Sequence, residues 1–168
     1  MINAPDGLPA RPTTDFAKSG LFNVLANEID FEGLQVLDLF SGIGGISMEF
    51  LSREAKWVTA VDVSFKCINF VKDTAVKFKV NNISCVRFDV FKYLKQCDKK
   101  FDLIFADPPF DLEQTEDISK IVFEKNLLNP GGLLIVEHYA KRELFFHPNF
   151  VSVRTYGNCA FSFYRLSE

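Results

Sequence analysis

Short apolar runs alternate with amphipathic segments along this chain, and the alternation constrains its fold more than any other feature. Buried parallel strands are apolar throughout, whereas the helices that connect them are apolar on one face only. Five runs have the length and composition of such strands: residues 35–40, 57–63, 83–88, 101–106 and 133–137. Repeated strand–helix–strand units with right-handed crossovers predict an α/β fold with a doubly wound sheet.

The segments between these runs predict helices, and the segments after the fifth run predict two further strands. One segment follows Ser64, a residue type that caps helix N-termini, and its inward stripe is Ile68, Val71, Ala75 and Phe78. A second helix is predicted from Thr115 onward, and the turn residues 129–132 precede the fifth strand. Near the C-terminus, residues 151–155 and 160–165 flank Tyr156-Gly157-Asn158-Cys159, which predicts an antiparallel hairpin that closes the sheet.

Length and composition favour one domain and exclude several classes of protein. The 168 residues, 48% of them apolar, suffice for one core, with residues 1–10 expected to be a flexible segment. No apolar run approaches the roughly 20 residues of a membrane span, and residues 1–10 lack the features of a secretory signal. We therefore expect a cytoplasmic protein without membrane contact. The four cysteines form no CxxC pair and only two histidines accompany them, so no metal site is predicted.

The first strand runs into Asp38-Leu39-Phe40-Ser41-Gly42-Ile43-Gly44-Gly45. Gly42 and Gly44 would let the backbone approach a ligand closely, although a plain glycine-rich turn is the alternative. The loop lacks the GxGxxG spacing of dinucleotide sites and begins with a carboxylate, so a pyrophosphate ligand is disfavoured. S-adenosylmethionine carries an ammonium and a sulfonium group, and a carboxylate beside the loop suits those charges.

Two further acidic residues stand at predicted strand ends. Asp62 follows the second strand, where a carboxylate can accept hydrogen bonds from both ribose hydroxyls. Asp89 follows the third strand and could accept from the adenine amino group, although a helix N-cap is the commoner role for such a residue. The sequence therefore predicts cofactor contacts at Asp62 and Asp89.

The fourth strand is followed by Asp107-Pro108-Pro109-Phe110. The two prolines fix the backbone and remove two N–H donors, so the loop offers acceptors: the Asp107 carboxylate and the Pro108 carbonyl. Two such acceptors could hold an exocyclic amine of a nucleobase with its lone pair aimed at a sulfonium methyl group, while Phe110 stacks on the base. These four residues are the predicted catalytic residues.

The chain resembles the class I methyltransferases and, within them, the RsmD-like group of 16S ribosomal RNA guanine-N2 methyltransferases. The most specific match is Arg11-Pro12-Thr13-Thr14-Asp15 followed by Leu21-Phe22-Asn23-Val24-Leu25. The resemblance implies a seven-stranded sheet of order 3-2-1-4-5-7-6, and cofactor binding by the Asp38 loop (with Phe40, Gly42 and Gly44), Asp62 and Asp89. It also implies catalysis by residues 107–110 and transfer of the methyl group to 16S ribosomal RNA.

The segment ahead of the cofactor loop is expected to bind substrate through Arg11, Thr13 and Thr14, with Phe110 contributing from the catalytic loop. Arg11 would contact phosphate or be solvated, and either threonine could cap the following helix, in which Phe16, Leu21 and Leu25 would pack inward. Relatives usually carry a longer basic segment here, whereas residues 1–10 contain Asp6 and no Lys or Arg. The loop SGIGG also departs from the AGSG or AGTG of relatives but keeps the required glycines.

The formal charge of −3 disfavours strong binding to naked RNA, because counterion release supplies most non-specific affinity. The expected substrate is therefore a guanine in a partly assembled small ribosomal subunit, modified by a monomeric enzyme. A DNA cytosine-C5 methyltransferase is disfavoured, since no cysteine follows a proline. A DNA amino-methyltransferase, or a non-catalytic RNA- or partner-binding module with the same fold, remains as an alternative.

Overall fold

The computed structural model describes residues 13–144 and 147–168. Predictions made for Arg11 and for the segment 1–10 lie outside the described residues. The helices are α1 Asp15–Glu28, α2 Gly45–Ser52, α3 Phe65–Lys77, α4 Val90–Gln96 and α5 Thr115–Glu124. The strands are β1 Gln35–Leu39, β2 Trp57–Asp62, β3 Ile83–Arg87, β4 Phe101–Ala106, β5 Leu128–Tyr139, β6 Phe150–Tyr156 and β7 Cys159–Arg165.

The strands form one seven-stranded sheet of order β3-β2-β1-β4-β5-β7-β6. The pairs from β3 to β5 are parallel, and β7 pairs antiparallel with both β5 and β6. The predicted strand order and the C-terminal hairpin are therefore confirmed. Because β1, β2, β4 and β5 run in one direction, their carboxyl ends meet at one edge of the sheet.

Alternation along β1 shows why the central strands are apolar on both faces. Leu37 and Leu39 belong to a buried cluster with Leu94 of α4 and Ile118 of α5, whereas Val36 belongs to a second cluster that contains residues of α1 and α2. Successive side chains of a strand point to opposite faces, and helices cover both faces here. None of the helices described combines the length and the apolar character needed to cross a bilayer.

The turn predicted at residues 129–132 is instead part of β5. The register of β4 and β5 jumps from the pair Phe101–Leu128 to the pair Leu103–Leu133, so the extra residues of β5 form an irregular bulge. Gly131 adopts a φ of 73° within it, and the Asn129 side-chain amide donates to Asp102 at 2.7 Å. The turn residues thus bend the strand locally, and pairing resumes after them.

Two predicted core positions are wrong. Phe16 is 71% exposed and Phe78 is 57% exposed, whereas Leu21 and Leu25 are fully buried as predicted. Phe78 is the C-cap of α3, beyond the last full helical turn, so the helical spacing no longer directs it to the sheet. Phe16 stands in the first turn of α1, at the rim of the cleft at the carboxyl edge of the sheet.

Gly44 and Gly45 offer a matched test of the turn into α2. A Cβ on Gly44, where φ is +80°, would lie 2.8 Å from Val71 Cγ2, whereas a Cβ on Gly45 would meet no atom within 4 Å. We expect Gly44→Ala to lower the free energy of unfolding by about 2 to 4 kcal/mol, from left-handed strain and overpacking. Gly45→Ala should be neutral or stabilising by up to about 1 kcal/mol. Urea unfolding of both variants checks this, and equal effects would contradict it.

Candidate active site

A cleft of about 1660 Å³ opens at the carboxyl edge of the sheet. It brings together ten of the residues predicted from the sequence: Thr13, Thr14, Asp38, Phe40, Gly42, Asp62, Asp107, Pro108, Pro109 and Phe110. A smaller open concavity of about 530 Å³, between the end of α1 and residues 53–54, contains none of them. The described lining of the large cleft carries six carboxylates and a single lysine, namely Asp15, Asp38, Glu49, Asp62, Asp107, Glu137 and Lys18. Such a lining favours cationic groups and hydrogen-bond donors over phosphate.

Asp38 is the most deeply buried carboxylate of the cleft. It is 1% exposed, and the Ser47 hydroxyl donates a 2.5 Å hydrogen bond to its Oδ2. Burial raises the pKa of the Asp38 carboxyl from its ordinary value of 3.8 to about 7, and the charge of Asp62 contributes in the same direction. A carboxylate desolvated in this way gains most from a positive group placed against it.

The glycine-rich loop is anchored on Asp62. The amide of Gly42 donates to Asp62 Oδ2 at 2.9 Å and the amide of Ser64 donates to Oδ1 at 2.8 Å. Phe40 and Gly42 adopt positive φ values of 57° and 51°, which turn the backbone back over the ends of β1 and β2. The Ser41 hydroxyl is buried and has no hydrogen-bond partner among the described residues, which marks a place for a polar ligand group.

Asp62 therefore has a structural role in addition to the predicted one. Each carboxylate oxygen has two lone pairs, so the two backbone hydrogen bonds leave capacity for further donors. Because Asp62 lines the cleft, a ribose contact fits its position and stays a prediction.

Two predicted cofactor residues are not part of the cleft lining. Asp89 is exposed and caps α4 by accepting from the Lys92 amide at 2.9 Å, so the alternative role of helix cap is confirmed. Its adenine contact stays a prediction. Gly44 is buried and precedes α2, where it allows close packing against Val71 of α3. It shapes the loop rather than lining the cleft.

The loop after β4 is held at both ends. The Asp107 amide donates to the Leu39 carbonyl at 3.2 Å, so this loop and the glycine-rich loop start from adjacent hydrogen-bonded positions. Arg142 clamps the far end by donating to the carbonyls of Leu112 and Glu113. Pro108 is buried and Pro109 is exposed. Phe110 lines the cleft and packs on Tyr139 with ring centroids 6.0 Å apart and a tilt of 41°.

Glu137 is a site residue that the sequence analysis missed. It is 3% exposed and lines the cleft beside Asp107. The Thr13 hydroxyl donates to Glu137 Oε2 at 2.7 Å and lies 3.5 Å from Asp107 Oδ2. Thr14 caps α1 by accepting from the Ala17 amide, which decides between the two threonines. Glu137 could have been predicted from the sequence, because it is a carboxylate at the end of the apolar run 133–137.

An exposed aromatic residue at the rim was also missed. Phe16 packs edge-to-face on Tyr156 with ring centroids 5.9 Å apart, and both residues line the cleft. A Cβ on Gly20 would overlap the Tyr156 ring at 2.1 Å, so this glycine lets the hairpin lie against α1. The wall of the cleft therefore combines α1 with the turn between β6 and β7.

The strand order, the reversed last hairpin and the glycine-rich loop after β1 define the fold of the class I methyltransferases. The family model described as "Conserved hypothetical protein 95" matches residues 1–165. The chain belongs to this family, which is the RsmD-like group indicated by its sequence motifs.

Individual relatives agree with this assignment. Ribosomal RNA small subunit methyltransferase D of Buchnera aphidicola subsp. Baizongia pistaciae is 32% identical over 127 residues, covering 76% of this chain but only 64% of that protein. The protein of the same name from Escherichia coli K12 is 30% identical, covering 81% of this chain and 68% of the relative. A solved structure described as "Putative methyltransferase yhhF from Escherichia coli" has a TM-score of 0.86 at 28% identity, covering 99% of this chain and 91% of that one.

The raised pKa of Asp38 predicts a pH-dependent cost to stability. The folded state holds a proton on Asp38 up to a pH of about 7, whereas the unfolded state releases it near 3.8. Asp38 therefore costs nothing below pH 4, increasingly more from pH 4 to 7, and a constant amount above 7. Asp38→Asn removes this cost, so its stability relative to wild type should be about 2 to 3 kcal/mol more favourable at pH 8 than at pH 5.

Urea unfolding of both proteins at the two pH values measures this difference. Other titrating groups, including His138 and His147, are common to both proteins and cancel in the comparison. A stability difference that is independent of pH would contradict the assignment of a high pKa to Asp38.

Proposed function

We propose that this protein is an S-adenosylmethionine-dependent methyltransferase that modifies the exocyclic N2 amine of a guanine in 16S ribosomal RNA. The observation that supports the proposal most directly is that the glycine-rich loop and the Asp107–Phe110 loop line the same cleft. The glycine-rich loop and the Asp107–Phe110 loop are joined by the hydrogen bond from the Asp107 amide to the Leu39 carbonyl. The first loop suits a cationic cofactor and the second presents acceptors to an amine, so both reactants would meet at one edge of the sheet.

The residues present fit S-adenosylmethionine. A buried carboxylate with a raised pKa suits a cation, and the Ser41 hydroxyl, which has no hydrogen-bond partner in the described part of the chain, offers a polar contact. Asp38 would hold the ammonium group, Asp62 the ribose hydroxyls, and the backbone at Phe40 and Gly42 would lie against the ligand. When bound, the cofactor supplies an electrophilic methyl group on its sulfonium sulfur.

The loop after β4 would prepare the nucleophile. An aromatic amine is a poor nucleophile because its lone pair is delocalised into the ring. The Asp107 carboxylate and the Pro108 carbonyl accept hydrogen bonds from the two N–H groups of the amine. This favours a pyramidal nitrogen and aims its lone pair at the methyl carbon. Phe110 stacks on the base, and Tyr139 packs against the Phe110 ring.

Ribosomal RNA as the substrate is supported by the relatives named small subunit methyltransferase D. The formal charge of −3 and the acidic cleft supply little of the electrostatic attraction that free RNA requires. We propose that a partly assembled small subunit is preferred, because it presents the guanine already exposed and lowers the cost of flipping.

The function is tested by incubating the protein with cofactor that carries a labelled methyl group. The substrates are 16S RNA and small-subunit particles, both purified from cells that lack this enzyme, at one stated salt concentration. Nuclease mapping followed by mass spectrometry should locate the label on N2 of one guanine, with the higher kcat/KM on particles. Label on another base or another atom refutes the guanine-N2 assignment, and equal or better kcat/KM on free RNA refutes the particle preference.

Asp107→Ala should lower single-turnover methyl transfer at least about a hundredfold, because one of the acceptors that orient the amine is lost. Cofactor affinity measured by calorimetry should stay near wild type. Asp111→Ala is the control, since Asp111 is exposed on the same loop and does not line the cleft. Transfer by Asp107→Ala at the wild-type rate would contradict the orienting role.

A further inference from the structure

We propose that Glu137 selects the target base by accepting a hydrogen bond from N1–H of guanine, while Asp107 accepts from the neighbouring amine. Glu137 is thus a specificity-determining residue, and Thr13 is the positioning residue that holds it. The inference rests on the proposed function and adds the feature by which this site distinguishes guanine from other bases that carry an exocyclic amine.

The sheet places the two carboxylates side by side. β4 and β5 are parallel neighbours in which Ala106 pairs with Val136, so Asp107 and Glu137 follow a shared rung of the ladder. Glu137 remains inside β5 and pairs with Phe161 of β7 on its other side. Its backbone is therefore held by β7, and the preceding residue, Val136, is held by Ala106 of β4. Such a site on rigid strands is well suited to discriminate between similar ligands.

The Thr13 hydroxyl shows that both carboxylates face one point. It donates to Glu137 Oε2 at 2.7 Å and lies 3.5 Å from Asp107 Oδ2. Both groups can therefore accept from donors on one side, which is the arrangement that a planar base edge with two adjacent donors requires. A carboxylate has two oxygens and each accepts more than one hydrogen bond, so accepting from Thr13 is compatible with accepting from a base donor as well.

Guanine has the donor pattern that such a pair requires. Its Watson–Crick edge carries the N2 amine next to N1–H, which gives two neighbouring donors. In adenine and cytosine the amine is adjacent to a bare ring nitrogen, which is an acceptor. A carboxylate that faces that ring nitrogen would meet its lone pair and find no N–H group to accept from. In a buried position this loss of a hydrogen bond is costly. Glu137 therefore accepts guanine and disfavours the other two bases.

Burial strengthens this discrimination. Glu137 is 3% exposed, so water cannot easily replace a missing base donor. Sites built to hydrogen-bond a substrate group reject an analogue that lacks the group far more strongly than apolar pockets reject a missing methylene.

The probe for this role is 2-aminopurine, which keeps the amine on C2 but has a bare N1. Once the target position is mapped, 16S RNA is prepared with guanine or 2-aminopurine there, in the assembly state that supports methylation. We expect wild type to prefer guanine by at least about a hundredfold in single-turnover rate. E137Q should reduce that preference at least about tenfold, because the amide can donate to the bare N1 of 2-aminopurine as well as accept from guanine.

Two further variants separate specificity from structural damage. Thr13→Val removes the hydroxyl that positions Glu137, and should reduce the preference in the same direction by a smaller factor. Glu143→Gln changes an exposed glutamate that does not line the cleft, and should leave the preference unchanged. Binding of S-adenosylhomocysteine by calorimetry should be near wild type for all three variants.

The possible results distinguish this inference from the proposed function. If E137Q and Thr13→Val lower the rate of methyl transfer to both RNAs equally and keep the wild-type preference, Glu137 does not contact N1–H and the inference is wrong. A wild-type enzyme that methylates both RNAs equally also refutes it, although guanine-N2 methylation would stand. If wild type transfers no methyl group to guanine in either assembly state, the proposed function itself is wrong.

Discussion

The parallel pairing of β1 with β4 is the interaction on which the rest of this structure depends. The two strands are adjacent although five elements separate them along the chain, and their hydrogen bonding continues past the last rung through the Asp107 amide and the Leu39 carbonyl. The loops that leave the two strands are thereby placed against each other. Leu37 and Leu39 bury the same strand against α4 and α5, so the position of both loops is maintained by the burial of apolar surface. The acidic cleft is one result of this arrangement.

The cleft concentrates negative charge at a cost to the folded state. Asp38 is desolvated and its pKa is about 7, and Asp62 adds to that effect although two backbone amides stabilise its own carboxylate. Glycines tolerate the backbone that such a loop requires, but side-chain packing alone would favour a neutral residue at position 38. The carboxylate makes physical sense in the presence of a cationic ligand. Under the proposed function, stability and cofactor affinity would be opposed at this residue, as is common at functional sites.

Sequence reasoning predicted the strand order, the hairpin and the cleft residues at the ends of the first, second and fourth strands, because parallel strands bring their carboxyl ends to one edge. It failed where tertiary context overrides local pattern. Glu137 was counted as the end of an apolar run, and only the pairing with β4 places it beside Asp107. Phe78 kept the helical spacing but follows the end of α3. Residues 129–132 have the composition of a turn, yet the ladder resumes beyond them. Spacing reports a local period, whereas the helix end at Phe78, the neighbour of Glu137 and the resumed ladder of β5 depend on where elements end and pair.

The position of β7 has a consequence for the order of folding. β7 inserts between β5 and β6, and it is the last strand in chain order. Until it pairs with β5, Glu137 has a strand on one side only, and the edge of β5 stays open to solvent. During synthesis from the N-terminus the earlier strands can assemble first. Glu137 gains a neighbouring strand on its other side only when residues 159–165 join the sheet. The nascent chain can thus form the glycine-rich loop before β5 gains its second neighbouring strand at Glu137.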